Sequence, residues 1–175
     1  MKKASIIGLG DILKGDLGVG CYIIDALEQE RMGDSIHLTY MADDPRYAGG
    51  LLYEADLAVI VAAISMGGPA GTIHRWNYRI FQQNFVWLIN EFHSIEFLVD
   101  ALGRTELAGG FPENLLFLWI EPKVTEGVTL SKEVLNAIRP TIQIIKKNLF
   151  ERGFLPENAL KISPIYRLEL IRRTA

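Results

Sequence analysis

Two aspartates, Asp11 and Asp16, stand in a glycine-rich stretch near the start of the chain, Gly8-Leu9-Gly10-Asp11-Ile12-Leu13-Lys14-Gly15-Asp16-Leu17-Gly18-Val19-Gly20. Two more, Asp43 and Asp44, follow the next apolar segment. All four fall at the carboxyl ends of predicted strands, where open α/β sheets usually build their sites. Glycines in such a loop let the backbone turn tightly and approach another group closely. Other chemistries find less support. No G-x-S-x-G occurs, so there is no recognisable nucleophile elbow for a serine hydrolase. The single cysteine, Cys21, rules out an internal disulfide and a cysteine-built metal cage, and reads as a small buried residue on the first helix. Gly8 and Gly10 begin a dinucleotide fingerprint, but Leu13 stands where its third glycine belongs, and Asp43 lies well beyond the usual spacing of about 20 residues.

The elements that would position these acids follow from the hydrophobic pattern. Ala4 to Ile7 is a short apolar run suited to a buried strand, and Val19, Ile23, Ile24 and Leu27 then recur at helical spacing. Ser35 to Met41 alternates as a second strand. Tyr47 to Ala55 is a short helix candidate weakened by Gly49 and Gly50. Leu57 to Ala63 is uninterrupted apolar sequence, as expected at the centre of a parallel sheet covered on both faces. After the loop at Gly67, Gly68, Pro69 and Gly71, Thr72 to Trp76 alternates again. Phe81 to Ile89 reads equally as helix or strand, whereas Ser94 to Leu107 has a helical face of Ile95, Leu98, Val99 and Leu102. Leu115 to Ile120 is a further strand. Ser131 to Phe150 is a long amphipathic helix that Pro140 is expected to kink or divide in two. Strand alternating with helix predicts a doubly wound sheet.

At 175 residues the chain suits one domain, and its 49% hydrophobic content argues for a folded core. A net charge of −3, with acids and bases mixed, gives no electrostatic case for nucleic acid or a membrane surface. The apolar stretch after Met1 is too short for a signal peptide, and the run Leu57 to Ile64 is far below the roughly 20 residues that cross a bilayer. A soluble, cytoplasmic protein is expected.

The chain resembles the nickel–iron hydrogenase maturation proteases. Their opening motif, G-x-G-N-x-L-x-x-D-(D/E)-G-x-G, aligns with Gly8 to Gly20. A second motif, an apolar strand ending in Asp-Ala and a loop ending in Pro-Gly-Thr, aligns with Val59 to Ile64 and Gly67 to Thr72. A third, a histidine before a helix with periodic leucines, aligns with His93, the helix to Leu107, and Phe111-Pro112. The resemblance covers residues 1–150 as one maturation-protease-like domain and leaves 151–175 as a tail outside it.

What the resemblance implies is a flavodoxin-like three-layer α/β/α sandwich with a mainly parallel five-stranded sheet. It also implies an endopeptidase that removes a C-terminal peptide from a hydrogenase large subunit after nickel insertion. The metal would be sensed by an acid in the opening motif, an Asp at the end of the third strand, and the histidine, a donor set suited to nickel. Here Leu17 and Ala62 occupy the two acid positions, and only His93 is kept. Asp11, Asp16 and Asp43 remain as candidate site acids, with Asp43 at a family position after the second strand.

Two functions are therefore expected to compete. One is an active endopeptidase with a shifted metal site of Asp16, Asp43 and His93. The other is a catalytically inactive descendant, a pseudoenzyme serving as chaperone or scaffold for a hydrogenase subunit or accessory protein. Each acid also has a plainer reading, as a turn former or, for Asp16, as the cap of the first helix. His37 and His74 show no partner in the sequence. Trp76, Phe81 and Trp87 read as core packing or as the wall of a peptide groove.

Overall fold

The computed structural model describes residues 2–30, 32–42, 44–92 and 94–161. Within them five strands form one sheet: β1 (Ala4–Gly8), β2 (Ile36–Tyr40), β3 (Leu57–Ala63), β4 (Ile73–Asn77) and β5 (Leu115–Ile120). The spatial order is β2-β1-β3-β5-β4. The first three neighbouring pairs are parallel, and β4 lies antiparallel along β5 at the edge. Five helices cover the two faces: α1 (Val19–Glu28), α2 (Ala48–Leu52), α3 (Tyr78–Glu91), α4 (Ser94–Leu107) and α5 (Lys132–Glu151). The result is the α/β/α sandwich that the resemblance implies, with a mainly parallel five-stranded sheet.

The apolar runs explain the layers. Every residue of β1 and β3 is buried, and alternate side chains serve opposite faces. Val59 and Val61 join α1 and α5 in one core, with Ile23, Leu27, Ile142 and Ile145. Ile60 and Ala62 join α2, α3 and α4 in the other, with Leu52, Phe81, Leu98, Phe117 and Trp119. Ser5, the polar residue of β1, is buried but donates its hydroxyl to the Leu51 carbonyl at 2.7 Å. The two strand faces are thus built from different segments, and each must fold for the sheet ends to be placed.

Several sequence expectations are refined here. The ambiguous segment Phe81 to Ile89 is helical, because Asn77 accepts from the Ile80 amide at 2.9 Å and starts α3. Pro140 neither breaks nor divides α5, which runs from Lys132 to Glu151. It sits on the exposed side, where the carbonyl it leaves unpaired can meet solvent. Cys21 is half-buried rather than enclosed. Beyond residue 150, Leu155 is buried against the α1–α5 core, and a short turn spans Glu157–Leu160. The alternating segment Tyr166 to Ile171 lies outside the described residues. No helix among the described residues is long and apolar enough to cross a membrane.

Candidate functional site at the carboxyl ends of β1 and β3

From β1 the chain crosses to β2 on one side and returns past it to β3 on the other, so β1 and β3 flank a switch point. Ligand sites of open α/β sheets form outside such points. The loop after β1 and the end of β3 meet there around an open cleft of about 440 Å³. Leu17 lines it from the turn Gly15–Gly18, and Ala62, Ala63 and Ile64 from the end of β3. Phe92, Ser94, Ile95 and Phe97 close it from the start of α4. Asp11, Lys14 and Asp44 contribute its charged groups.

Leu17 and Ala62, aligned from two separate motifs, therefore come together in one cleft. His93 and Asp43 lie outside the described residues, but Phe92, Ser94 and Asp44, their chain neighbours, all line it. Asp11, Leu17, Asp44 and Ala62 share the cleft, and Asp16 does not.

Asp16 is fully buried and faces the connection between β5 and α5. Its Oδ2 accepts from the Lys123 and Val124 amides at 2.8 and 2.9 Å and from the Ser131 hydroxyl at 2.8 Å. Its Oδ1 accepts from the Ser131 amide at 2.6 Å. It is not the cap of the first helix, since Gly18 holds that place without a side-chain bond. Instead it pins the start of α5, whose cap is Ser131, to the turn carrying Leu17. Three donors converge on Oδ2 and a fourth on Oδ1, so the fully buried carboxylate is committed to the β5–α5 connection. The geometry does not fit the expected shifted metal site that includes Asp16.

The other acids of the cleft are also engaged. Asp11 Oδ1 accepts from the Leu13 amide at 2.9 Å, and its Oδ2 lies 3.5 Å from Lys14 Nζ. Both oxygens of Asp44 accept from Arg46, whose guanidinium sits 5.3 Å from the Phe97 ring centroid. The hydrogen bonds from Arg46 hold the Asp44 carboxyl below the ordinary carboxylate range. The depressed value means this contribution is present at neutral pH and fades as acid takes the group through its folded pKa. Among the described residues no three His, Cys, Asp or Glu side chains come together as a metal cluster. Leucine and alanine carry no lone pair, so the donor set along the described cleft does not fit the nickel site that the resemblance implies.

A second polar constellation lies beside the first and was not legible in the sequence. Glu121, just past β5, is buried. It accepts from the Met66 amide at 3.0 Å and the Gly68 amide at 3.1 Å. His74 Nε2 lies 3.0 Å from its Oε1, so His74, expected to lack a partner, has one. An ionised carboxylate only accepts, so the imidazole proton belongs on Nε2. The pair fastens the loop of the second motif over the sheet. Glu121→Gln is expected to cost about 1–3 kcal/mol through one misdirected donor. Faster hydrogen exchange at Met66 and Gly68 than elsewhere in the domain, with a lower denaturation midpoint, would check it.

The three aromatics do not form one groove. Phe81 is core, stacked on Phe117 at 4.3 Å between centroids. Trp76 meets Trp119 edge-on at 6.4 Å. Trp87 is 40% exposed and packs edge-on against Phe92, a cleft residue.

No protein-family model matches the chain. Among characterised proteins it is similar to the hydrogenase expression/formation protein HoxM of Azotobacter vinelandii, 25% identical over 156 residues that cover 85% of this chain and 72% of that one. It is also similar to the hydrogenase expression/formation protein HupD of Thiocapsa roseopersicina, 23% identical over 151 residues, 85% of this chain and 68% of that one. Its fold matches the hydrogenase maturating endopeptidase HybD from E. coli with a TM-score of 0.78 at 23% identity, covering 86% of this chain and 94% of that one. Together with the three motifs and the cleft they converge on, these findings make the chain similar in sequence to two hydrogenase expression/formation proteins and alike in fold to a hydrogenase maturating endopeptidase.

Proposed function

We propose that the chain acts in the maturation of a nickel–iron hydrogenase, at the C-terminal segment of the large subunit, and that it receives this segment in the cleft between β1, β3 and α4. The observation that carries the reading is the convergence of three distant motifs on that cleft. Leu17 comes from the first, Ala62 from the second, and Phe92 and Ser94 flank the histidine of the third. Chance matches scattered along a chain have no reason to meet at the switch point of the sheet.

The expected activity is that of the family, removal of the C-terminal segment from the precursor. The test is incubation of the purified protein with the large-subunit precursor, followed by intact-mass measurement. Loss of one discrete C-terminal segment supports the peptidase. A stable complex with an uncut precursor supports the scaffold reading. Neither complex nor cleavage, with precursors from every nickel–iron hydrogenase of the host, would defeat the proposal.

Nickel here is cargo of the client. The protein alone is expected to bind it weakly, because Leu17 and Ala62 offer no donor and the described acids of the cleft are engaged. Leu17→Glu combined with Ala62→Asp supplies two carboxylates beside the chain neighbours of His93. Calorimetry with nickel should show at least about a tenfold gain in affinity, a difference of about 1.4 kcal/mol. A well-folded double variant with no gain would break the proposed equivalence of those positions.

A further inference from the structure

Resting on that reading, we infer that the cleft selects its client through an uncharged apolar side chain, and that this recognition is indifferent to whether the client carries nickel. The occupant is the C-terminal segment of the hydrogenase large subunit, seating an aliphatic residue against Leu17, Ala62 and Ile64. Three observations carry the inference.

The first is the chemistry of the wall. The side chains of Leu17, Ala62 and Ile64 are all carbon, and Phe92 and Phe97 line the same cleft. A metal brought there by a client would meet no lone pair from these groups, whereas an aliphatic side chain would leave water for matched surroundings. The second is the state of the charges. Asp11 is paired with Lys14 and Asp44 with Arg46, so each described acid at the cleft already has a cation of its own loop beside it. That arrangement complements an uncharged ligand and, among the described residues of the cleft, gives a cationic centre no unpaired carboxylate to approach. The third is continuity. Ile12 and Leu13 stand between Asp11 and Lys14 in the loop at the cleft and are 42% and 66% exposed. They add exposed apolar surface to the loop whose Asp11 and Lys14 line the cleft.

The volume of about 440 Å³ is within the range of ligand pockets and takes a side chain together with adjoining backbone. A recognition site of this kind would sense the sequence of the client's end instead of its metal content.

The test uses the full-length protein and the large-subunit precursor, prepared nickel-free and nickel-loaded, with binding followed by interferometry. The expected result is the same dissociation constant for both precursors, within about threefold, since neither the cleft wall nor its paired charges distinguish them. Ala62→Asp places a charge in the wall and should weaken binding at least about tenfold. Should Ala62→Asp fail to fold, Leu17→Asn, in a partly exposed turn, carries the test with an expected loss of about fivefold or more. Leu17→Met should restore wild-type affinity. Binding that is at least about tenfold tighter for the nickel-loaded precursor would overturn the inference and leave the proposed function standing. Unchanged binding by the folded variants would do the same. Failure of both precursors to bind would remove the proposed function and this inference with it.

Discussion

Asp16→Ala is expected to destabilise the protein by about 4 kcal/mol, a large share of the 5–15 kcal/mol typical of a domain. The carboxylate is fully buried and receives the amides of Lys123, Val124 and Ser131 and the Ser131 hydroxyl. Alanine would leave three backbone donors and a hydroxyl in a space from which water is largely excluded. Each orphaned buried donor costs about 1–3 kcal/mol, reduced where the loop relaxes and admits water. For a chain of this size the melting temperature should fall by about 10 °C. Asp16→Asn separates charge and shape. Its amide oxygen can replace Oδ2, but its NH₂ then faces the Ser131 amide, so roughly half the loss should remain. The two variants, compared by urea denaturation, check the claim. A loss below about 1 kcal/mol for Asp16→Ala would mean that the link to α5 contributes little.

Gly10→Ala should be nearly as damaging and should also distort the cleft. Gly10 has φ +127°, and a Cβ there would lie 1.7 Å from the Leu17 carbonyl oxygen. That atom is backbone in the turn Gly15–Gly18, so no side chain can swing aside to make room. The turn must move away from β1, carrying Leu17 with it. The expected cost is about 3 kcal/mol or more, together with a loss of client binding larger than that of Leu17→Asn. Gly67→Ala is the control. Gly67 also has a positive φ, +82°, but nothing lies within 4 Å of its Cβ position. It should show only the backbone term, about 1 kcal/mol. Equal effects at the two positions would indicate that contact with Leu17 is unimportant.

The legible parts of the structure were those fixed by local pattern. Leu57 to Ala63 could scarcely be other than a central strand, and the helix from Ser94 to Leu107 follows from its apolar face. The segment from Phe81 to Ile89 was ambiguous because aromatic and apolar residues crowd it at both periods. The deciding signal was Asn77, whose side chain caps the helix and which the apolar pattern alone does not weigh. The cleft was partly legible, since the motifs named Leu17 and Ala62 and the fold brings them together.

What the sequence could not convey were bonds between groups far apart in the chain. Asp16 reads as a local cap, yet its amide partners lie 107, 108 and 115 residues along the chain. Glu121 reads as the polar end of a strand, yet it binds His74 from an antiparallel neighbour whose placement depends on the whole sheet. In both cases the residue type was visible and the partner was not. The consequence for function is direct: an acid counted as a candidate ligand proves to be a structural fastener, and the cleft it was expected to serve carries leucine and alanine where the resemblance expects acids.

The most direct measurement of the central claim is the intact mass and activity of the host's nickel–iron hydrogenase large subunit after deletion of the gene for this chain. The large subunit is expected to accumulate as an immature form in the deletion strain, with its C-terminal segment retained or its assembly stalled. Wild-type protein should restore maturation, and Gly10→Ala should not. A deletion strain in which every nickel–iron hydrogenase large subunit is fully processed, assembled and active would contradict it.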